Sequence, residues 1–107
     1  MSRNLGNEAE QKACEYLIQN GYVIKDRNFH SCFGEIDIIA TKGACYHFFE
    51  VKSGRNYHPL YNITPAKLEK IIKTVKLYLK AKNIASPYSV DAIIITDIIE
   101  IYENITF

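Results

Sequence analysis

The tightest constraint on the fold lies between residues 34 and 52. Two runs rich in β-branched and aromatic residues, 34–41 and 44–52, meet at Lys42-Gly43. Such residues suit a pleated, half-buried surface and the glycine suits a reversal, so the pair reads as a β-hairpin. Side chains alternate across a strand, which puts Tyr46, Phe48, Glu50 and Lys52 on one face and His47, Phe49 and Val51 on the other. Register then decides what Asp37 meets. A connection made by Lys42, Gly43, Ala44 and Cys45 sets Asp37 directly across from Glu50. A tighter Lys42-Gly43 turn sets it across from Phe48 and diagonal to Glu50. Either way the two carboxylates share a face with Lys52.

Placing three charges at one end of apolar strands carries a desolvation cost that calls for compensation. A divalent cation is one form of it. Paired carboxylates with backbone carbonyls and water are the hard oxygen ligands that Mg²⁺ prefers, and no Cys or His cluster has zinc spacing. A surface salt bridge of Lys52 with Glu50 or Asp37 is the plainer explanation, worth ~0–1 kcal/mol.

The N-terminal segment predicts an amphipathic helix from Asn7 to about Gln19, with Ala9, Ala13, Tyr16 and Leu17 as its apolar stripe and Asn20-Gly21 as a left-handed stop. Glu10 borders the buried side. It also stands three residues after Asn7, the spacing of a capping box, which would account for it without chemistry.

Beyond a short strand at Tyr22-Val23-Ile24 and the hairpin, residues 53–64 read as an irregular loop. Thr64 as N-cap and Pro65 at the first helical position open a second helix that runs to about Asn83, with Leu68, Ile71, Ile72, Val75 and Leu79 inward. Ser86-Pro87 ends it. Residues 90–96 then read as a strand buried on both faces, and residues 98–102 as a last strand. A strand, helix, strand order over residues 44–95 permits a parallel crossover, so the class is α/β with a mixed sheet. Asp91, at the start of a buried strand, could assist the site but reads first as a strand-end turn residue.

A chain of 107 residues with 48% hydrophobic content suits one domain, 1–107, with a modest core. Net charge is +1, which carries no nucleic-acid signal for the whole. Its distribution does. Residues 65–83 hold six lysines (67, 70, 73, 76, 80 and 82) against Glu69, giving +5 there and −4 elsewhere. A basic element beside a carboxylate cluster is what a phosphodiesterase needs to attract phosphates to a negative site. Lys67, Lys70 and Lys73 are its candidate backbone contacts, although exposed helix positions favour lysine in any case; Arg55, Tyr57, His58 and Tyr61 mix cations and aromatics in the preceding loop, a composition suited to stacking on bases or gripping phosphates and also ordinary for a loop. Three cysteines without paired spacing imply a reducing compartment, and a polar N-terminus lacks an apolar signal region. No apolar stretch approaches membrane-spanning length, so a cytoplasmic location is expected.

Gly6, Glu10, Ala13, Tyr16-Leu17, Gly21-Tyr22, Arg27-Asn28, Gly34-Glu35-Ile36-Asp37, Glu50-Val51-Lys52 and Val90-Asp91-Ala92-Ile93 together resemble the YraN-like uncharacterised bacterial proteins, nearly end to end. That family is placed in the restriction-endonuclease-like superfamily. The resemblance implies a central mixed sheet flanked by helices and a PD-(D/E)XK motif formed by Asp37, Glu50 and Lys52. Glu10 matches the helix-borne glutamate of archaeal Holliday junction resolvases. The family often carries a basic residue straight after the lysine; here Ser53-Gly54 intervene before Arg55.

The expected function is Mg²⁺-dependent hydrolysis of DNA phosphodiesters, with Mn²⁺ as a substitute ion and branched or otherwise structured DNA as substrate. Asp37, Glu50 and the Val51 carbonyl would hold the metal, Glu10 would orient a metal-bound water or help hold a second ion, and Lys52 would stabilise the attacking hydroxide and charge on the phosphate. Two coordinated cuts in a junction would require a symmetric homodimer. The alternative is a non-catalytic nucleic-acid-binding module of nuclease-like fold, acting in a repair or DNA-processing complex.

Overall fold

The structure, a computed structural model, describes the backbone of residues 2–54 and 63–106 and the side chains of residues 8–54 and 63–106. Arg55, Tyr57, His58 and Tyr61 lie outside the described residues. The element order is α1 (Ser2–Gln19), β1 (Val23–His30), β2 (Glu35–Lys42), β3 (Cys45–Ser53), α2 (Pro65–Ala81), β4 (Tyr88–Ile95) and β5 (Ile99–Tyr102). The strands form one sheet in the order β1-β2-β3-β4-β5, antiparallel except for the β3–β4 pair that α2 connects. This is the mixed α/β sheet expected from the order of periodicities.

Helix α1 begins at Ser2, so position 7 lies inside it. Asn7 is therefore not the N-cap that the spacing to Glu10 suggests. Its end is as expected: Gly21 has φ 88°, and the Gly21 and Tyr22 amides bond back to the Ile18 and Leu17 carbonyls. Helix α2 opens on Thr64, whose hydroxyl accepts the Lys67 N–H, and Asn83 closes it in the same left-handed way, with φ 54°.

The sheet is covered on both faces. Ala13, Cys14 and Leu17 of α1 pack with Ile38, Ala40, Phe49 and Ile93, while Ile71, Val75 and Tyr78 of α2 pack with Ile36, Ile39, Phe48 and Ile94. Phe48 and Phe49 are fully buried on opposite faces, and truncating either costs roughly 3–5 kcal/mol. The inward stripe of α2 differs from the apolar one. Thr74 and Tyr78 are buried, whereas Ile72 is only partly so, because the polar groups find partners: the Tyr78 hydroxyl donates to Asp26, and the Thr74 and Ser31 hydroxyls bond at 2.8 Å.

Asp91 is not a turn residue at a strand end. It is fully buried, its carboxylate bonding the His47 ring at 2.6 Å, the Ser89 hydroxyl at 2.6 Å and the Asn104 amide at 2.9 Å. This network ties β3 to β4 and to the C-terminal segment. Strand β1 runs to His30, well beyond the expected residue 24. Its register shifts between Ile24 and Asp26, and Asn28 has φ 54°. These two irregularities break the alternation by which a strand is read.

Candidate active site

The β2–β3 turn is a two-residue loop. Lys42 pairs with Cys45, and Gly43 at the first loop position has φ 61°, a conformation open to glycine. The register that follows pairs Ile38 with Phe49, and one step further sets Asp37 across from Glu50. The first of the two expected registers is therefore the observed one.

Regular pairing ends there. Ile36 and Ile39 face α2 while Ile38 and Ala40 face α1, so the period of two breaks at Asp37. The same switch occurs in β1 beside Asn28, where Arg27 reaches α1 and Phe29 packs on the α2 side. Asp37 consequently turns toward the neighbouring strand, and its Oδ2 accepts the Val51 N–H at 2.8 Å. The carbonyl of a strand residue leaves on the same edge as its N–H, which directs the Val51 oxygen toward this gap too.

Glu10, Asp37, Glu50, Val51 and Lys52 line one cleft of about 360 Å³, with Ala9, Glu35 and Ser53. Glu50 is pushed up to about 9, first by burial, then by a hydrogen bond to the Asp37 carboxyl and by the Asp37 charge; Lys52 pulls the other way. Glu10 is also raised, by burial and then by Asp37, while Asn28 and Arg27 lower it. The Arg27 guanidinium lies 3.7 Å from Glu10 Oε1, which is buried and has no hydrogen-bond partner among the described residues. Two facing carboxyls, one of them held protonated, with an unsatisfied carboxylate oxygen beside them, form a site of excess negative potential.

The lysines of α2 separate. Lys67 and Lys70 line a second cavity of about 150 Å³ with Phe33, Gly34, Glu35, Glu50 and Ile71, so the two cavities share Glu35 and Glu50. Lys73 sits over the Phe33 ring and 3.9 Å from Glu69. Arg55 lies outside the described residues. Sequence reasoning missed Glu35, which raises both Glu10 and Glu50, and the Arg27 and Asn28 contacts to Glu10. Glu35 stands within the Gly-Glu-Ile-Asp run, which is the signal that could have found it.

A five-stranded mixed sheet covered by two helices, with an acidic cleft and one lysine where β2 and β3 part, defines an α/β protein. Among the described residues, no helix is long and apolar enough to cross a membrane. The chain belongs to the UPF0102 family, described as an uncharacterised protein family, whose sequence model matches residues 9–101. A UPF0102 protein of Wolinella succinogenes is 54% identical over 107 residues, covering 99% of both chains. One from Helicobacter pylori strain HPAG1 is 51% identical over 98% of this chain and 93% of its own, and one from Helicobacter hepaticus is 47% identical over 98% and 96%. The family match agrees with the likeness carried by the motifs.

Proposed function

We propose that this protein is a Mg²⁺-dependent endonuclease that hydrolyses DNA phosphodiesters, with the restriction-endonuclease-like chemistry that its motifs resemble. The observation that carries this reading is the meeting of Glu10, Asp37, Glu50, Val51 and Lys52 in one cleft. Random placement of surface charges would not aim an aspartate across a sheet at the backbone of a glutamate-x-lysine strand.

The donor set fits the ion. Among the described residues no group of three or more His, Cys, Asp or Glu side chains is placed to hold a metal ion. Mg²⁺ does not need one, since it binds through one or two carboxylates and keeps places for water and phosphate. Asp37 and Glu50, with the Val51 carbonyl, would hold it, and Mn²⁺ accepts the same oxygens. When bound, the ion supplies positive charge to the phosphate and acidifies water.

The chain's own groups do the rest. Glu10, on α1, orients water, steadied by Arg27 and Asn28. Lys52 directs its ammonium at the attacking hydroxide and at charge gathering on the phosphate. The lysines at the start of α2 counter the negative cleft and hold the substrate backbone.

A cleavage panel of duplex, flap, single-stranded and four-way-junction DNA with Mg²⁺ or Mn²⁺ tests the reading. Wild type should cut at least one substrate; Lys52→Met should abolish the cutting while largely sparing DNA affinity. Binding without cleavage on every substrate would refute the hydrolase and leave a nucleic-acid-binding module.

A further inference from the structure

The turn between β1 and β2 presents an aromatic ring that no core requires. Phe33 is 42% exposed, yet its backbone is firmly held. The Ser31 hydroxyl accepts the Phe33 and Gly34 amides, and the Ser31 amide donates to the Gly34 carbonyl. The same hydroxyl bonds Thr74 on α2, so the turn is pinned to the basic helix. Gly34 faces Lys70 and Thr74 of α2, which a Cβ added there would meet at ordinary contact distance. A rigid mount that leaves so much of a phenylalanine ring in solvent forgoes part of the burial that a core position would give it.

Its surroundings are those of a nucleotide. Lys73 places its ammonium 5.4 Å from the ring centroid, and Lys67 and Lys70 line the cavity that Phe33 walls. That cavity adjoins the catalytic cleft through Glu35 and Glu50. A phosphate held in the cleft by a cation on Asp37 and Glu50 would leave the base of an adjoining nucleotide near Phe33.

We infer that Phe33 is a stacking platform for an unpaired base next to the scissile phosphate, which makes the substrate single-stranded, frayed or branched nucleic acid rather than intact duplex. In a duplex both faces of each base are covered by its neighbours, so an aromatic ring can stack only on a base that has left the helix. The cations around the ring serve the phosphates on either side, and Lys73 adds charge to the ring's other contacts. This inference rests on the nuclease reading for the direction of the strand through the site, and it adds the substrate class.

The test uses the full chain in a chelating buffer, so that contact is read without hydrolysis. Fluorescence anisotropy is measured with a single-stranded oligonucleotide and with a blunt duplex, and the single strand carries 2-aminopurine to report stacking. Phe33→Ala should weaken single-strand binding by about tenfold, leave duplex binding nearly unchanged and abolish the quenching of 2-aminopurine; Phe33→Trp should restore all three to wild-type behaviour. Equal losses on both probes, or unchanged quenching in Phe33→Ala, would overturn the inference. A wild type that stacks but never cuts with Mg²⁺ upholds it and overturns the hydrolase. A wild type that cuts while Phe33→Ala binds single strands as well as before overturns the platform alone.

Discussion

Asp37 Oδ2 accepts the backbone N–H of Val51 at 2.8 Å, so a side chain takes the place that a strand carbonyl would occupy in a regular ladder. One carboxylate oxygen is thus committed to holding β3, and the other remains for the cleft. The bond fixes the direction of Asp37 and opens the gap between β2 and β3 in which Glu50 and Lys52 stand.

Two substitutions separate these duties. Asparagine keeps an acceptor for Val51 and removes the charge, so Asp37→Asn should fold normally and lose the Asp37-dependent Mg²⁺ or Mn²⁺ heat in calorimetry. Alanine leaves the Val51 amide unsatisfied and should cost a further ~1–3 kcal/mol in urea unfolding. Equal stability of the two variants would show that the bond contributes nothing.

Glu50 makes the metal-free protein sensitive to alkali. Its folded value of about 9 lies above the ordinary 4.5, so its stabilising contribution is full below 4.5 and is lost as pH rises toward 9. Glu50→Gln cannot undergo that loss. Its melting temperature should match wild type near pH 4.5 and exceed it increasingly up to pH 9, at about 4–8 °C per kcal/mol for a domain near this size. Without metal, differential scanning calorimetry across this range would check the sign.

The same proton must leave when a cation arrives, since a carboxylate ligand binds deprotonated. Mg²⁺ affinity should rise with pH between about 5 and 9, with release of close to one proton per ion near neutrality. Calorimetry in two buffers of different ionisation enthalpy measures this directly, and heats independent of the buffer would count against Glu50 as a ligand.

What could be read in advance was whatever had a clean period. The β2–β3 hairpin alternates as far as Ile38 and α1 shows its apolar stripe, so both put charges near the cleft; the break at Asp37, which turns it toward β3 and off the face expected for it, was not legible. Strand β1 was largely hidden because a register shift at Lys25 and a left-handed Asn28 scramble its alternation, and because an edge strand carries charges such as Lys25 and Arg27. Thr74 and Tyr78 lie outside the apolar stripe by which α2 is read, and Asp91 reads as a turn residue, yet each is buried because its polar group has partners. Phe33 needed coordinates, since only the pinning of its turn to α2 distinguishes it from an ordinary loop aromatic.

Arg27 should tune the site without touching substrate. It lowers Glu10, which burial and Asp37 raise, so Arg27→Met should let Glu10 hold its proton to higher pH. The acid limb of the pH–rate profile should move upward, with kcat near its wild-type value once Glu10 is ionised. A uniform fall in kcat at every pH would instead mark damage to α1 packing.

The His47–Asp91 network lies apart from the cleft and should affect stability alone. Asp91→Ala strands the Asn104 amide and leaves His47 and Ser89 only their bond to each other, and removing one member of a buried charged or polar pair typically costs about 3–5 kcal/mol. Asp91→Asn retains an oxygen for Ser89 or Asn104 and should lose less. Urea unfolding gives the ranking. Metal titration of the folded Asp91→Asn protein should reproduce wild type, because Asp91 contacts none of the groups that line the cleft; a weakened metal site would mean that β4 transmits strain to Glu50 through the Glu50–Ala92 pairing.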